Sequence, residues 1–175
     1  MSAIGIFFGT DTGKTRKVAK LIKEKLGELA DEPVNINRAS LADLLAYDTL
    51  ILGTPTLGDG QLPGLEAECM SESWAEFADE LANADLSGKT VALFGLGDQE
   101  SYPDAFVNAL GELYDIVCEA GAAVIGFWPT DGYSFTESAA LEGERFVGLV
   151  LDQDNQQDLT EERVTRWVGA LQAAL

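Results

Sequence analysis

The chain has 175 residues, 46% of them hydrophobic, which suits one domain with a real core and is short for two. Its 11 Lys and Arg against 30 Asp and Glu give a net charge of −19, which argues against nucleic acid or an anionic membrane as partner. No His is present, so Ser-His-Asp and Cys-His catalysis and His-ligated metals are excluded, and redox or group-transfer chemistry would need a borrowed cofactor.

The first apolar run, Ala3–Phe8, reads as a strand. It is too short to span a membrane and lacks the flanks of a signal peptide. Gly9-Thr10-Asp11-Thr12-Gly13-Lys14-Thr15 follows, then a helix with Val18, Ile22, Leu26 and Leu29 on one face. Backbone N–H groups at a helix N-terminus attract phosphate, and hydroxyls add donors. An ordinary Thr/Gly-rich helix start fits the segment as well. The Walker A pattern does not, because Phe8 stands where it requires Gly.

A weak strand, Val34–Asn37, precedes a strong one, Thr49–Gly53. The latter runs into Thr54-Pro55-Thr56-Leu57-Gly58-Asp59-Gly60, a shaped loop with backbone freedom at Gly58. Met70, Trp74, Phe77 and Leu81 predict the next helix, and Thr90–Gly95 the next strand. After it, Gly97-Asp98-Gln99-Glu100-Ser101-Tyr102-Pro103 offers a loop Tyr that can stack on a flat ligand. Phe106, Leu110, Leu113 and Val117 form another helical stripe. Ala122–Phe127 is a strand, and Val147–Leu151 is its continuation or a further strand. Between them residues 129–145 have no clear period, which in a compact domain marks a functional segment or a small lobe. Val164, Trp167, Val168, Leu171 and Leu175 give the last helix, with Thr160 as its cap and Glu161 and Glu162 in its first turn. Trp74, Trp128 and Trp167 read as packing residues. Cys69 and Cys118 form no CxxC pair and read as reduced thiols.

This alternation predicts an α/β domain spanning 1–175, with a five-stranded parallel sheet in the order 2-1-3-4-5 and helices on both faces. Ligands of such sheets bind outside the carboxyl ends of the strands. There the three loops would bring together phosphate donors, a Gly-adapted backbone and an aromatic plate, which together suit a mononucleotide with a planar ring.

Thr10-Asp11-Thr12-Gly13-Lys14-Thr15, Thr54-Pro55-Thr56-Leu57-Gly58, Gly97-Asp98-Gln99 with Tyr102, Thr130-Asp131-Gly132-Tyr133 and Leu151-Asp152-Gln153-Asp154-Asn155-Gln156, in this order, resemble the long-chain flavodoxin family nearly end to end. The resemblance implies a three-layer sandwich with a long insertion, residues 129–145, in the last strand. It implies non-covalent FMN, cycling mainly between semiquinone and hydroquinone, in a cytoplasmic, monomeric one-electron carrier that is not an enzyme. Thr10, Asp11, Thr12, Gly13, Lys14 and Thr15 correspond to the phosphate cradle, with Lys14 contributing its backbone rather than its ammonium. Thr54, Pro55, Thr56, Leu57, Gly58, Gly97, Asp98 and Tyr102 correspond to the loops around the ring. Tyr102 would stack on the outer face, and Leu57 would face the inner side where many relatives have Trp. The Gly58 carbonyl would accept a hydrogen bond from N5–H of the semiquinone once the Gly58–Asp59 peptide turns. Asp154 corresponds to a ribityl contact, and Ala105 stands where relatives often carry Asn.

Leu57 is also a feature of the flavodoxins that serve nitrogen fixation. It makes nitrogenase reductase the expected acceptor and a flavodoxin reductase or oxidoreductase the upstream donor; a general carrier replacing ferredoxin is the alternative. The charge is uneven: residues 1–25 carry a net +4, and no Lys or Arg occurs between Arg38 and Lys89. Asp59, Glu66, Glu68, Glu72 and Glu76 lie in that gap, and the four-residue spacing of the last three would align them on one helix face. Such a face would steer a basic redox partner onto the flavin edge. A small nucleotide switch or hydrolase using residues 9–15, and a flavin-free acidic interaction module, are the competing readings. A visible absorption spectrum separates the three.

Overall fold

The computed structural model describes residues 4–175. The first strand, β1 (Ile4–Phe8), is buried along its whole length, as are nearly all of β3 (Thr49–Pro55) and β4 (Thr90–Leu96). Continuous apolar sequence has this meaning in a parallel sheet covered on both sides. Ala3, the expected first residue of β1, lies outside the described residues. β2 (Val34–Asn35) pairs with one edge of β1 and β3 with the other, and β4 follows β3, all in parallel register. β5 (Ala123–Ile125) completes the order β2-β1-β3-β4-β5.

β3 occupies one edge of β4 from Thr90 to Leu96. The other edge is shared: β5 pairs with Thr90–Ala92 and β9 (Leu149–Leu151) with Phe94–Leu96. β5 and β9 are therefore two halves of one strand position, and the chain between them is an insertion. The insertion, aperiodic in sequence, folds as a three-stranded antiparallel sheet of β6 (Trp128–Pro129), β7 (Leu141–Glu142) and β8 (Arg145–Phe146) in the order β6-β8-β7. Strands of two residues are too short to show a period of 2.

The helices form two packed pairs on the two faces of the sheet. α1 (Lys14–Leu26) lies against α5 (Thr160–Ala174), and α3 (Trp74–Ala82) against α4 (Asn108–Glu119). Their buried stripes include Val18, Ile22 and Leu26 of α1; Leu110, Leu113 and Val117 of α4; and Val164, Trp167, Val168 and Leu171 of α5. All three Trp are structural: the Trp74 indole donates to the Gly53 carbonyl at 2.7 Å, Trp167 to Gly126 at 2.8 Å and Trp128 to the Tyr133 hydroxyl at 2.9 Å. No helix of the described residues is long and apolar enough to cross a membrane.

Several local expectations are corrected. Leu29 is exposed because Gly27 ends α1 with a φ of 61°, leaving Leu29 in a single 3₁₀ turn. Met70 is 93% exposed, since α3 starts only at Trp74. Leu175 is exposed because α5 ends at Ala174, one residue before it. Thr160 is the first residue of α5 rather than its cap, and its hydroxyl donates to Gln153 Oε1. A five-residue helix, α2 (Leu41–Leu45), is too short to show a stripe, but its capping box is present in the sequence. Ser40 Oγ accepts from the Asp43 N–H at 3.2 Å, and the Asp43 carboxylate accepts from the Ser40 N–H at 2.8 Å.

The insertion seats on α4 through a close backbone approach. A Cβ at Gly111 would lie 2.2 Å from the carbonyl oxygen of Ala139. Helix propensity alone would favour Ala at this position by about 1 kcal/mol. The collision is with backbone, which cannot swing aside, and overpacking of this kind costs about 1–3 kcal/mol. Gly111→Ala is thus expected to destabilise the protein, read as a lower midpoint in urea unfolding.

Candidate functional site

The loops after β1, β3 and β4, with the segment after β9, surround one cleft at the carboxyl edge of the sheet. It encloses about 760 Å³, its open mouth included. Thr10, Asp11, Thr12, Lys14, Thr15, Pro55, Thr56, Leu57, Gly97, Asp98, Tyr102 and Asp154 line it. Three other expected residues do not. Thr54 is fully buried in β3, Gly13 is half-buried beside the lining residues, and Gly58 sits on an exposed turn at the rim.

One end of the cleft is the start of α1. The Gly13 N–H donates to Thr10 Oγ1 at 2.9 Å, which curls the loop over the helix terminus. The first main-chain bond back into the loop runs from the Lys17 N–H to the Gly13 carbonyl, so the N–H groups of Thr12, Lys14 and Thr15 have no partner among the described protein groups. The first turn holds no acidic residue. Unpaired donors and the positive end of the helix dipole together make a site for an anion. The Lys14 ammonium turns sideways and pairs with Asp154 Oδ1 at 2.6 Å, bridging the loops after β1 and β9.

The other end is apolar and aromatic. Pro55, Leu57, Leu96, Phe106 and Val107 face the cleft, with Tyr102, 43% exposed, at its rim. Thr56 Oγ1 accepts from the Ala109 N–H at 3.3 Å and so ties the loop after β3 to the start of α4. Val107 turns the chain into α4 with a φ of 49°, a rare conformation for a β-branched residue. Gly58 has a φ of 49° in the turn closed by bonds from the Gly60 and Gln61 N–H groups to the Leu57 carbonyl. Leu96, Phe106, Val107 and Gln153 also line the cleft, where the sequence did not place them, although Gln153 stands in one of the family-like motifs. Phe106 carried only a helix-core signal, and it serves both core and cleft.

Asp98 organises the loop after β4. Burial pushes its carboxyl up, but hydrogen bonds from the Ser101 N–H, the Asn155 amide and the Glu100 N–H outweigh that and hold it below the ordinary value. The loop after β3 departs from expectation. Leu65–Ala67 is a single 3₁₀ turn ended by Glu68 with a φ of 65°, so Glu68, Glu72 and Glu76 do not share a helix face. Asp59, Glu66, Glu68 and Glu72 are exposed in this loop. Glu76 is exposed too, but its carboxylate folds back on the loop, accepting from the Ser73 N–H at 2.8 Å and the Leu65 N–H at 3.0 Å. Cys69, 8% exposed, is packed under the same loop.

The profile of the flavodoxin family, described as "Flavodoxin", matches residues 6–167. A flavodoxin of Klebsiella pneumoniae is 66% identical over 168 residues, covering 96% of each chain. A second flavodoxin of the same organism is 46% identical over 169 residues, covering 96% of this chain and 92% of its own. The crystal structure of Fusobacterium nucleatum flavodoxin bound to flavin mononucleotide is 32% identical and superposes with a TM-score of 0.89, covering 100% of this chain and 99% of that one. The chain belongs to the flavodoxin family, whose members are electron-transfer proteins rather than enzymes.

The two thiols should differ sharply in reactivity. Burial, with the Asp11 and Glu76 carboxylates adding to it, pushes the Cys69 thiol above its ordinary value, whereas Cys118 is exposed on α4. A thiol-disulfide reagent near neutral pH is expected to label Cys118 first and Cys69 at least about tenfold more slowly. The Cys118→Ser variant isolates the slow phase, which should accelerate as pH rises.

Proposed function

We propose that the cleft holds FMN without a covalent bond and that the protein carries single electrons between redox proteins in the cytoplasm. The observation that carries this reading is the start of α1, where the unpaired N–H groups of Thr12, Lys14 and Thr15 stand at a corner of the cleft lined by Thr10, Thr12 and Thr15, beside an apolar slot. The corner suits the phosphate, and the slot between Leu57 and Tyr102 suits a flat ring. When bound, FMN accepts and releases one electron at a time.

The protein's residues set the terms of that exchange. Leu57, Leu96, Phe106 and Val107 keep water from the inner side of the slot, and Tyr102 covers the outer side while leaving an edge open. Asp11, Asp98 and Asp154 line the cleft, Asp154 with its charge offset by Lys14, and each carboxylate not so offset adds a repulsion on the order of 1 kcal/mol or less against further negative charge. Both effects favour a low reduction potential. At the rim, Gly58 has a conformation that a Cβ would disfavour, which leaves its peptide free to turn its carbonyl inward.

We further propose that the acceptor is nitrogenase reductase, supplied from upstream by a flavodoxin reductase or oxidoreductase, and that the protein works as a monomer. Two features support a specialised carrier: Leu57 in place of an inner-face aromatic, and the division of identity, 66% against 46%, between two flavodoxins of one organism. The docking surface is the loop beside Leu57. It offers the carboxylates of Asp59, Glu66, Glu68 and Glu72 around exposed Leu65 and Met70, and Glu76 braces it.

The protein reconstituted with FMN is expected to be yellow, with flavin absorption bands that persist through gel filtration; a colourless protein overturns the reading. Charge reversal at Glu68 and Glu72 should slow electron transfer to nitrogenase reductase at low salt and flatten its salt dependence in stopped-flow traces. Unchanged rates would reduce the acidic loop to a solvent coat.

A further inference from the structure

We infer that Asp152 is a positioning residue that sets the ring-side wall of the flavin cleft without touching its contents. Asp152 is fully buried and does not line the cleft. Its carboxylate receives five N–H donors. Oδ2 accepts from the Gln99 N–H at 3.1 Å, the Gln99 side-chain amide at 2.7 Å and the Asn155 side-chain amide at 2.8 Å. Oδ1 accepts from the N–H groups of Asp154 at 3.1 Å and Asn155 at 3.0 Å. These donors come from the two loops that supply Gly97, Asp98, Tyr102, Gln153 and Asp154 to the cleft.

The network extends one step in two directions. The Asn155 side-chain amide also donates to Asp98 Oδ1 at 2.8 Å, which couples Asp152 to the turn that carries Tyr102. Gln99 Oε1 accepts from the Ser134 N–H at 2.5 Å, so the same side chain fastens the insertion to this wall. Arg163 braces that part of the insertion from α5. Its guanidinium lies 4.2 Å from the centre of the Tyr133 ring and donates to Gln156 Oε1 at 2.7 Å.

Every group around Asp152 Oδ1 and Oδ2 is a donor, so the site calls for an acceptor-only side chain. Asn has the same shape but must turn an NH₂ donor toward at least one N–H, leaving buried donors unpaired. The strain falls on the two loops it joins. The phosphate corner stands on the loop after β1, which Asp152 does not touch.

This inference rests on the FMN reading of the cleft, and one experiment separates the two. Apoproteins of wild type and Asp152→Asn, each confirmed as folded by far-UV circular dichroism, are titrated with FMN and with riboflavin. The holoproteins are then compared at saturating FMN by visible circular dichroism, which reports the surroundings of the ring. Asp152→Asn is expected to lose about tenfold or more in affinity for both flavins, with their affinity ratio held within about twofold, and to show altered visible bands at saturation. Unchanged affinities, a loss confined to FMN, or bands identical to wild type would each overturn it. Should Asp152→Asn fail to fold, the exposed Asn155→Ala carries the same test and the same overturning outcomes, with an expected loss of about threefold in affinity for both flavins. A wild type that binds neither flavin overturns the reading of the cleft itself, and the inference falls with it.

Discussion

The two edges of β4 decide much of this structure. One edge is bonded along its full length to β3, and the other is divided between β5 and β9. The pairing continues past the strands. The Thr56 N–H donates to the Leu96 carbonyl and the Gly97 N–H to the Leu151 carbonyl, so the loops after β3, β4 and β9 leave the sheet side by side. A cleft there needs no further organising principle than a parallel register. The helices follow from the same constraint, because each crossover returns the chain to the amino edge and every loop after a strand opens at the carboxyl edge.

What the sequence could reveal depended on how each signal arises. β1, β3 and β4 were legible because a strand buried on both faces must be apolar at every position. The loop residues Thr10 to Thr15 and Gly97 to Tyr102 were legible as a set, since their order along a βα alternation fixes where they meet. The acidic stripe Glu68, Glu72 and Glu76 misled, because a four-residue spacing implies a helix face only if the backbone is helical, and Glu68 is left-handed. Met70 misled likewise: an apolar residue at helical spacing from Trp74 lies before the helix begins. Asp152 lies in a family-like motif, yet its role is not legible there. Its donors come from Gln99, 53 residues away, as well as from its own turn.

The charge takes on structure as well. Six cations in residues 1–25 sit on or beside α1, where Lys23 reaches the Gly27 carbonyl at 2.6 Å and Lys25 the Glu161 carboxylate at 3.3 Å. Lys23 closes the end of α1 and Lys25 its contact with α5, so the cations are gathered on one helix while the cation-free loop after β3 carries the acidic field seen by an approaching protein. The net charge of −19 is therefore an average over two unlike surfaces rather than a uniform coat.

The shared edge of β4 also bears on how such a chain can change length. Ile125 pairs with Ala92 and Leu149 with Phe94, partners only two positions apart, so the insertion leaves and rejoins the sheet within about 7 Å. A segment whose ends are held that close is a closed loop as far as the sheet is concerned. Doubling its length would add only about 0.6 kcal/mol of closure entropy. Shortening or replacing it would leave the strand position continuous, with the carboxyl-edge half still beside the cleft. The fold thus contains a place where a lineage can gain or lose a lobe without re-registering a single strand.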